Sequence, residues 1–434
     1  MKTRFAPAPT GRLHVGNIRT ALHNYLLSHR DGGAFLLRID DTDAERSKEE
    51  YVEAIRADLE WLGIAPDEEA RQSQRFGRYD ELFEQLRAAG RIYACYETPE
   101  ELEVRRKVLL GRGLPPVYER KDADAPVPEG RSPHWRFRLD HDTPIAWDDL
   151  VRGQQKFDPA LISDPVIRRA DGSWLYMLPS VIDDMDLGIT HVVRGEDHVT
   201  NSAIQLQMFD ALGAQRPYLA HEALLVAAEG KLSKRLGSVG VDEMKARGLE
   251  PMALLALLAR IGTSQPVEPL ASLEALSASF DFAHFGRAPA HFNMAEVEAL
   301  NAKLLHATPY EAVADRLPGG IGKAEWEALH GNIAHLGEVA DWLPVLQGEI
   351  DAPDIAAEDA DYLHQAATIA AQLEWDDGVW AALTGALKQA TGRKGKPLFL
   401  PLRLALTGQA SGPEMAALLP LIGKDRALAR LRRA

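Results

Sequence analysis

The sequence predicts an α/β protein: a parallel sheet near its start, an α+β module set into that sheet, and an all-helical C-terminal region. Three observations predict this. The opening of the chain reads strand, turn, helix, strand, a βαβ unit that calls for parallel pairing. From about Tyr96 to Ser173 prolines cluster and short alternating runs such as Trp135-Arg136-Phe137-Arg138-Leu139 appear. After about Glu250 helical periodicity takes over, and strand signals are almost absent.

The elements follow in order. Thr3 to Ala6 is a short strand-like run, broken by Pro7, Pro9 and Gly11. Ile18, Ala21, Leu22, Tyr25 and Leu26 recur at helical spacing, and Asp31-Gly32-Gly33 ends that helix. Ala34 to Ile39 is nearly continuous in apolar residues, as in a strand covered on both faces. A second helix is expected to start at Ser47, with Glu50 completing a capping box and Val52, Ile55, Leu59 and Leu62 inward. A third runs from about Tyr79 to Ala89, with Gly90 as its stop. Parallel-strand character returns at Ile189 to Arg194, followed by a helix that faces Ile204, Met208, Phe209 and Leu212 inward. The expected divisions are residues 1–91 and 176–225 for the two halves of the sheet domain, 92–175 for the inserted module, 226–307 for a connecting domain, and 308–434 for the helical region.

Composition bounds the function. A chain of 434 residues exceeds one ordinary hydrophobic core. No apolar run is long enough to span a bilayer, and Met1 to Pro7 lacks the apolar stretch of a signal peptide, so a cytoplasmic protein without a membrane partner is expected. Cys95 is the single cysteine, which excludes an internal disulfide and a multi-cysteine zinc site. The net charge of −15 does not exclude nucleic acid, because binding depends on local patches. Basic clusters occur at Arg393-Lys394-Gly395-Lys396 and from Lys424 to Arg433.

Two motifs carry chemistry. Pro7-Ala8-Pro9-Thr10-Gly11-Arg12-Leu13-His14-Val15-Gly16-Asn17 lies between the first strand and first helix, where ligands bind in parallel sheets. Gly16 allows close approach to the backbone, the helix start near Asn17 offers free N–H groups to an anion, and His14 can donate to phosphate oxygens. Alone, this would be a tight turn with a satisfied histidine. Lys231-Leu232-Ser233-Lys234-Arg235 sets three cations within five residues, able to clamp polyphosphate. Alone, it would be a solvated basic loop.

Together these motifs resemble the two signatures of class I aminoacyl-tRNA synthetases. Further stretches resemble the bacterial glutamyl-tRNA synthetases: Arg38 to Asp43, Tyr176 to Asp184, Gly188 to His198, Phe282 to Asn301, and Pro401 to Gly408. The resemblance covers nearly the whole chain. It implies a Rossmann-like catalytic domain, an inserted acceptor-stem-binding module, and an anticodon-binding helical region. The implied activity is ligation of L-glutamate to tRNA(Glu) with ATP and magnesium, through a glutamyl-adenylate, by a monomer.

The resemblance also implies site roles. His14, Gly16, Asn17, Leu224, Leu225, Lys231, Ser233 and Lys234 would bind ATP, with His14, Lys231 and Lys234 catalytic. Arg4, Ala8, Asp40, Tyr176, Ser180 and Arg194 would bind glutamate. Within that set Arg4 and Tyr176 would read the side-chain carboxylate, Arg194 the α-carboxylate and Asp40 the ammonium. Arginine suits this work because its planar fork pairs bidentately with carboxylate. Arg393, Lys394, Lys396 and Arg403 are candidate tRNA contacts.

The chain departs from the family in places. Ala8 stands where many members have serine, Asp40 is a methylene shorter than the usual glutamate, and Leu232 replaces a usual methionine or isoleucine. Some relatives carry a zinc knuckle in the inserted module; Cys95 alone predicts no zinc here. A glutaminyl-tRNA synthetase is the nearest rival, but its anticodon-binding part is built from β-barrels.

Overall fold

The computed structural model describes residues 1–121, 127–227, 239–353 and 355–433. The chain forms two compact units, Met1–Met244 with Leu254–Met294, and Lys245–Ala253 with Ala295–Ala434.

The first unit is organised by parallel strands. β1 (Lys2–Phe5) pairs with β2 (Ala34–Ile39), and β2 with β3 (Glu68–Arg71), all parallel. Helix α1 (Val15–Arg30) makes the crossover between β1 and β2 and buries Ile18, Leu22 and Leu26. Phe35, Leu36, Leu37 and Ile39 of β2 are all buried, the two-sided cover that its apolar run predicts. β3 escaped the sequence reading because Glu-Glu-Ala-Arg carries no apolar signal; it is the outer strand of this group.

Helix α2 (Glu49–Leu62) starts two residues later than expected. Ser47 does not cap it: Lys48 is the N-cap residue, the Ser47 hydroxyl has no partner, and the Ser47 N–H closes a turn onto Asp43 O at 2.9 Å. Helix α3 spans Phe76–Ala88 and faces Tyr79, Leu82, Phe83 and Leu86 inward.

The inserted module has β4 (Ile92–Cys95), α4 (Pro99–Gly111), β5 (His134–Phe137), β6 (Ile145–Asp149), β7 (Gly153–Phe157) and β8 (Val166–Arg168). β5 lies antiparallel between β4 and β8, and β6–β7 is a hairpin. Helix α4 was absent from the sequence reading, although Thr98-Pro99-Glu100-Glu101 is a complete capping box with proline at the first turn.

The parallel sheet resumes after α5 (Met177–Asp186). β9 (His191–Gly195) and β10 (Tyr218–Glu222) pair in parallel across α6 (Val199–Ala211). Thr190 N donates to Lys2 O at 3.0 Å, which sets β9 beside β1. The lateral order is therefore β3-β2-β1-β9-β10, with the winding direction reversed between β1 and β9. In doubly wound sheets this reversal opens a ligand crevice at the carboxyl ends of the strands.

The second unit is helical, and no strand occurs among the described residues after Phe292. Its core joins Leu363, Ala366 and Ala370 of helix Ala357–Gln372 to Leu383 and Leu387, Leu402, Leu418 and Leu431 of the four helices that follow. Trp326 is also fully enclosed there.

Candidate active site

A cavity of about 480 Å³ lies at the reversal point. Its walls are the strand ends: Arg4 to Ala8 at the end of β1, Arg38 and Asp40 at the end of β2, Val193 to Gly195 on β9, and Glu222 to Leu225 at the end of β10. His14, Gly16, Asn17, Tyr176 and Ser180 complete it, so every described residue expected to bind ATP or glutamate lines one space. Lys231, Leu232, Ser233, Lys234 and Arg235 lie outside the described residues. The described chain before them lines the cavity, and the described chain after them packs on the histidine turn. Leu225 is on its wall, and Val239 O accepts from Val15 N at 2.9 Å in the histidine turn. Gly240 is pressed on the same turn: a Cβ there would sit 2.4 Å from Leu13 O.

The histidine turn is built by capping. His14 is the N-cap of α1; its Nδ1 accepts from Gly16 N at 3.1 Å, and Asn17 Oδ1 accepts from His14 N at 3.3 Å. Burial pushes the His14 pKa down, so the ring is neutral at pH 7. With Nδ1 accepting, the proton sits on Nε2, leaving a donor for a phosphate oxygen. Gly16 also leaves room for the imidazole: a Cβ there would lie 3.0 Å from His14 Cε1 and press on the ring.

The acidic side of the cavity is a network that the sequence reading touched at Arg4, Asp40 and Ser180 but not at its centre, Arg38. Arg38 is 1% exposed. Its Nε and Nη2 fork onto Asp40 at 2.6 and 3.1 Å, and its Nη1 reaches Asp184 at 2.7 Å. Arg38 Nη2 also donates to Ser180 Oγ at 3.2 Å, and Arg4 Nε reaches Asp184 at 3.2 Å. Asp183 lies beneath, accepting from Tyr79, Arg75 and Gln72. Burial dominates at Asp40 and, despite the Arg38 pairing, raises its pKa to about 6. The missed signal was Arg38 itself, a charge inside a run covered on both faces, which demands carboxylate partners.

Arg194 differs from these cations. No carboxylate lies within ion-pair distance of it among the described residues. Its Nη2 donates to Ser202 Oγ and to Gln205 Oε1, the latter at 2.6 Å, and its Nε has no partner. Burial pulls its pKa down to about 10. An unmatched guanidinium on a cavity wall is a place for a carboxylate. Tyr176 presents its hydroxyl nearby, accepting from Asn201 Nδ2 at 2.6 Å. His23 and Glu222, also missed, form a buried pair at 2.5 Å, with Glu222 on the cavity wall.

The candidate tRNA residues fall into two groups. Arg393 is paired with Asp359, stacks on Tyr362 at 4.2 Å, and donates to Pro397 O. Arg403 is partly buried and donates to Pro413 O at 2.6 Å. Lys394 and Lys396 are exposed. In the inserted module, Cys95 is not alone as a possible metal donor: donor atoms of Cys95, Glu97 and His134 lie within 4.8 Å of one another. Tyr118 hydroxyl bridges Cys95 Sγ (3.3 Å) and Glu97 Oε1 (3.1 Å), and Lys121 pairs with Glu97 at 2.9 Å.

Comparison with known proteins agrees with this geometry. Residues 1–299 match the family described as tRNA synthetases class I (E and Q), catalytic domain, and residues 312–434 match an anticodon binding domain. The chain is 64% identical to glutamate–tRNA ligase 2 of Sphingopyxis alaskensis over 99% of this chain and 98% of the relative. It is also 64% identical to glutamate–tRNA ligase 1 of Rhizorhabdus wittichii over 100% and 99%. A crystal structure of a glutamate tRNA ligase from Elizabethkingia meningosepticum, in complex with its amino acid, superposes with a TM-score of 0.84 at 26% identity, covering 99% of this chain and 98% of that one. The chain belongs to the glutamate–tRNA ligases, within the class I aminoacyl-tRNA synthetases.

Proposed function

We propose that this chain ligates L-glutamate to tRNA(Glu) with ATP, and that both small substrates meet in the cavity at the sheet reversal. The observation that carries the proposal is the pairing of an unmatched cation, Arg194, with a phosphate donor, His14 Nε2, on the walls of one space. Arg194 takes the α-carboxylate, Arg4 and Tyr176 the side-chain carboxylate, and Asp40 the ammonium. Ala8 and Ser180 shape the wall, with the Ser180 hydroxyl held by Arg38.

His14, Gly16 and Asn17 receive the phosphates at the start of α1, and Leu224 and Leu225 bind the nucleotide. Lys231, Ser233 and Lys234 bind the polyphosphate through their charge and hydroxyl chemistry. An oxygen of the α-carboxylate attacks the α-phosphorus of ATP; the new O–P bond replaces the bond to pyrophosphate. The terminal ribose hydroxyl of tRNA then attacks the acyl carbon and AMP leaves. No covalent nucleophile is needed; positioning and charge stabilisation carry the rate. Magnesium supplies charge neutralisation on the phosphates. Asp40 and Glu222 are already paired with Arg38 and His23, which fits a cation carried by the nucleotide.

We place no zinc in the inserted module. Cys95 is the single cysteine, and the Glu97 carboxylate beside it is held by Lys121 and the Tyr118 hydroxyl. Elemental analysis of the purified chain checks this; one zinc per chain overturns it. Residues 92–175 hold the acceptor stem and residues 308–434 the anticodon, with Lys394 and Lys396 as phosphate contacts, while Arg393 and Arg403 are engaged within the protein by Asp359 and by Pro413 O. We place the enzyme in the cytoplasm as a monomer; among the described residues no helix is long and apolar enough to cross a membrane.

Charging of purified tRNA(Glu) and tRNA(Gln) with labelled glutamate or glutamine tests the assignment. Glutamate on tRNA(Glu) is the expected product; glutamine on tRNA(Gln) refutes it. Lys234→Ala should slow adenylate formation about a hundredfold with little change in glutamate affinity.

A further inference from the structure

Behind Arg194 runs a buried chain of side chains from three different elements. Arg194 Nη2 donates to Ser202 Oγ on α6. Ser202 Oγ lies 2.6 Å from His221 Nε2 on β10. His221 Nδ1 lies 2.5 Å from Asp149 Oδ2, at the end of β6 in the inserted module. Ser202, His221 and Asp149 are all buried.

Donor and acceptor roles in this chain follow from the groups around Asp149. Its carboxylate also accepts from the backbone N–H groups of Val151 (3.1 Å), Arg152 (3.0 Å) and His221 (3.1 Å), and from Trp147 Nε1 (3.2 Å). A carboxylate with that many donors is ionised, so His221 Nδ1 carries the proton and donates to it. Burial, the leading effect on His221, lowers its pKa and keeps the ring neutral. Nε2 is then an acceptor. The Ser202 hydroxyl must donate to Nε2, which turns its lone pairs toward Arg194. Each bond fixes the direction of the next.

We propose that Asp149, His221 and Ser202 form a positioning relay that fixes the Arg194 guanidinium for the α-carboxylate of glutamate. The inserted module, through the turn of its β6–β7 hairpin, thereby sets amino-acid recognition in the sheet domain. The same turn holds the nucleotide wall: Arg152 pairs with Glu196, whose Oε1 accepts from Leu224 N at 3.3 Å. None of the three relay residues lines the cavity, so they act through Arg194 and do not touch substrate.

The relay rests on the reading of Arg194 given above, and the test separates the two. Charging kinetics of the full chain are measured for Ser202→Ala, Ser202→Thr, Asp149→Asn and Arg194→Gln. Binding of the amino alcohol in which the α-carboxylate of glutamate is reduced is measured by competitive inhibition. Ser202→Ala and Asp149→Asn should each raise the glutamate KM about tenfold, leave the ATP KM unchanged, and erode discrimination against the alcohol. Combined, they should cost little more than either alone, because they interrupt one series. Ser202→Thr, which keeps the hydroxyl, should restore the wild-type KM. Wild-type KM and discrimination in Ser202→Ala, with Arg194→Gln defective, overturn the relay. An unchanged glutamate KM in Arg194→Gln overturns the reading beneath it.

Discussion

The two compact units bury charge in opposite ways. In the catalytic unit, Arg38 is surrounded by carboxylates, forking onto Asp40 and Asp184 with Asp183 at 3.8 Å. In the helical unit, the buried Arg430 has only carbonyls: Val345 O at 2.8 Å, Leu406 O at 2.7 Å, Pro344 O at 3.1 Å and Gly348 O at 3.0 Å. Leu406 O stands in the last turn of helix Lys396–Thr407 and Gly348 O just past helix Leu343–Gln347, where intrahelical partners run out and the dipole favours a cation; Pro344 O is shared with Gly348 N. Arg430 serves the backbone. The Arg38 web holds carboxylates that cost desolvation and are kept where a charged substrate must be met. Burial lowers the Arg430 pKa to about 10, whereas the Arg38 pKa is pushed upward, its three carboxylates outweighing burial.

Removing each arginine tests the contrast. Arg38→Met leaves Asp40 and Asp184 buried without their main partner, and breaking a buried pair costs about 3–5 kcal/mol. Urea unfolding should show that loss in the catalytic unit, and charging should disappear. Arg430→Met frees four carbonyls and should cost about 2–3 kcal/mol, confined to the helical unit. Its glutamate KM should stay at the wild-type value. Equal losses in the two variants, or a shifted glutamate KM in Arg430→Met, would break the distinction.

A smaller contrast lies inside the catalytic unit. Burial raises the Asp40 pKa from 3.8 to about 6. Burial acts the same way on Asp149, but the His221 bond and backbone N–H groups outweigh it and hold the group at about 2. The signs are opposite. Asp40 adds stability that is complete below 3.8 and lost as pH rises through about 6; Asp149 adds stability present above 3.8 and lost as pH falls toward about 2. An ammonium meets an ionised Asp40 only above about pH 6, so the glutamate KM should rise as pH falls below that. Asp40→Asn should raise KM by up to about tenfold at pH 7.5 and flatten the profile. A wild-type limb surviving in Asp40→Asn would assign the titration elsewhere.

Apolar period and punctuation carried most of the fold. β2 was legible because Phe35, Leu36, Leu37 and Ile39 are covered on both faces. β3 was not, because an outer strand of Glu-Glu-Ala-Arg buries little and so leaves no pattern. Ser47 looked like a cap because spacing cannot report that Ser47 N turns back onto Asp43. At the cavity, the placement of His14 in a turn at the start of a helix and of Arg194 at a strand end was legible. Arg38, Asp184, Glu222 and His23 were not, since their roles lie in partners up to 199 residues away. The relay behind Arg194 joins β6, β10 and α6, and no local spacing encodes it.

The helical unit offers the finest contrast, within one basic cluster. Arg393 is engaged by Asp359, Tyr362 and the Pro397 carbonyl, the partners of a structural cation. Lys394 and Lys396 stand exposed beside it. Phosphate neutralisation releases counterions, so a residue that touches tRNA leaves its mark on the salt dependence of binding. Lys396→Ala should weaken tRNA(Glu) binding severalfold and lower the slope of log K against log salt by about one, without changing thermal stability. Arg393→Ala should do the reverse: about 1 kcal/mol of stability lost, with the salt slope near wild type. Filter binding at several salt concentrations, paired with thermal unfolding, reads both. If Arg393→Ala lowers the slope as Lys396→Ala does, its guanidinium exchanges Asp359 for a phosphate when tRNA binds, and its contacts in the free protein are those of a resting state.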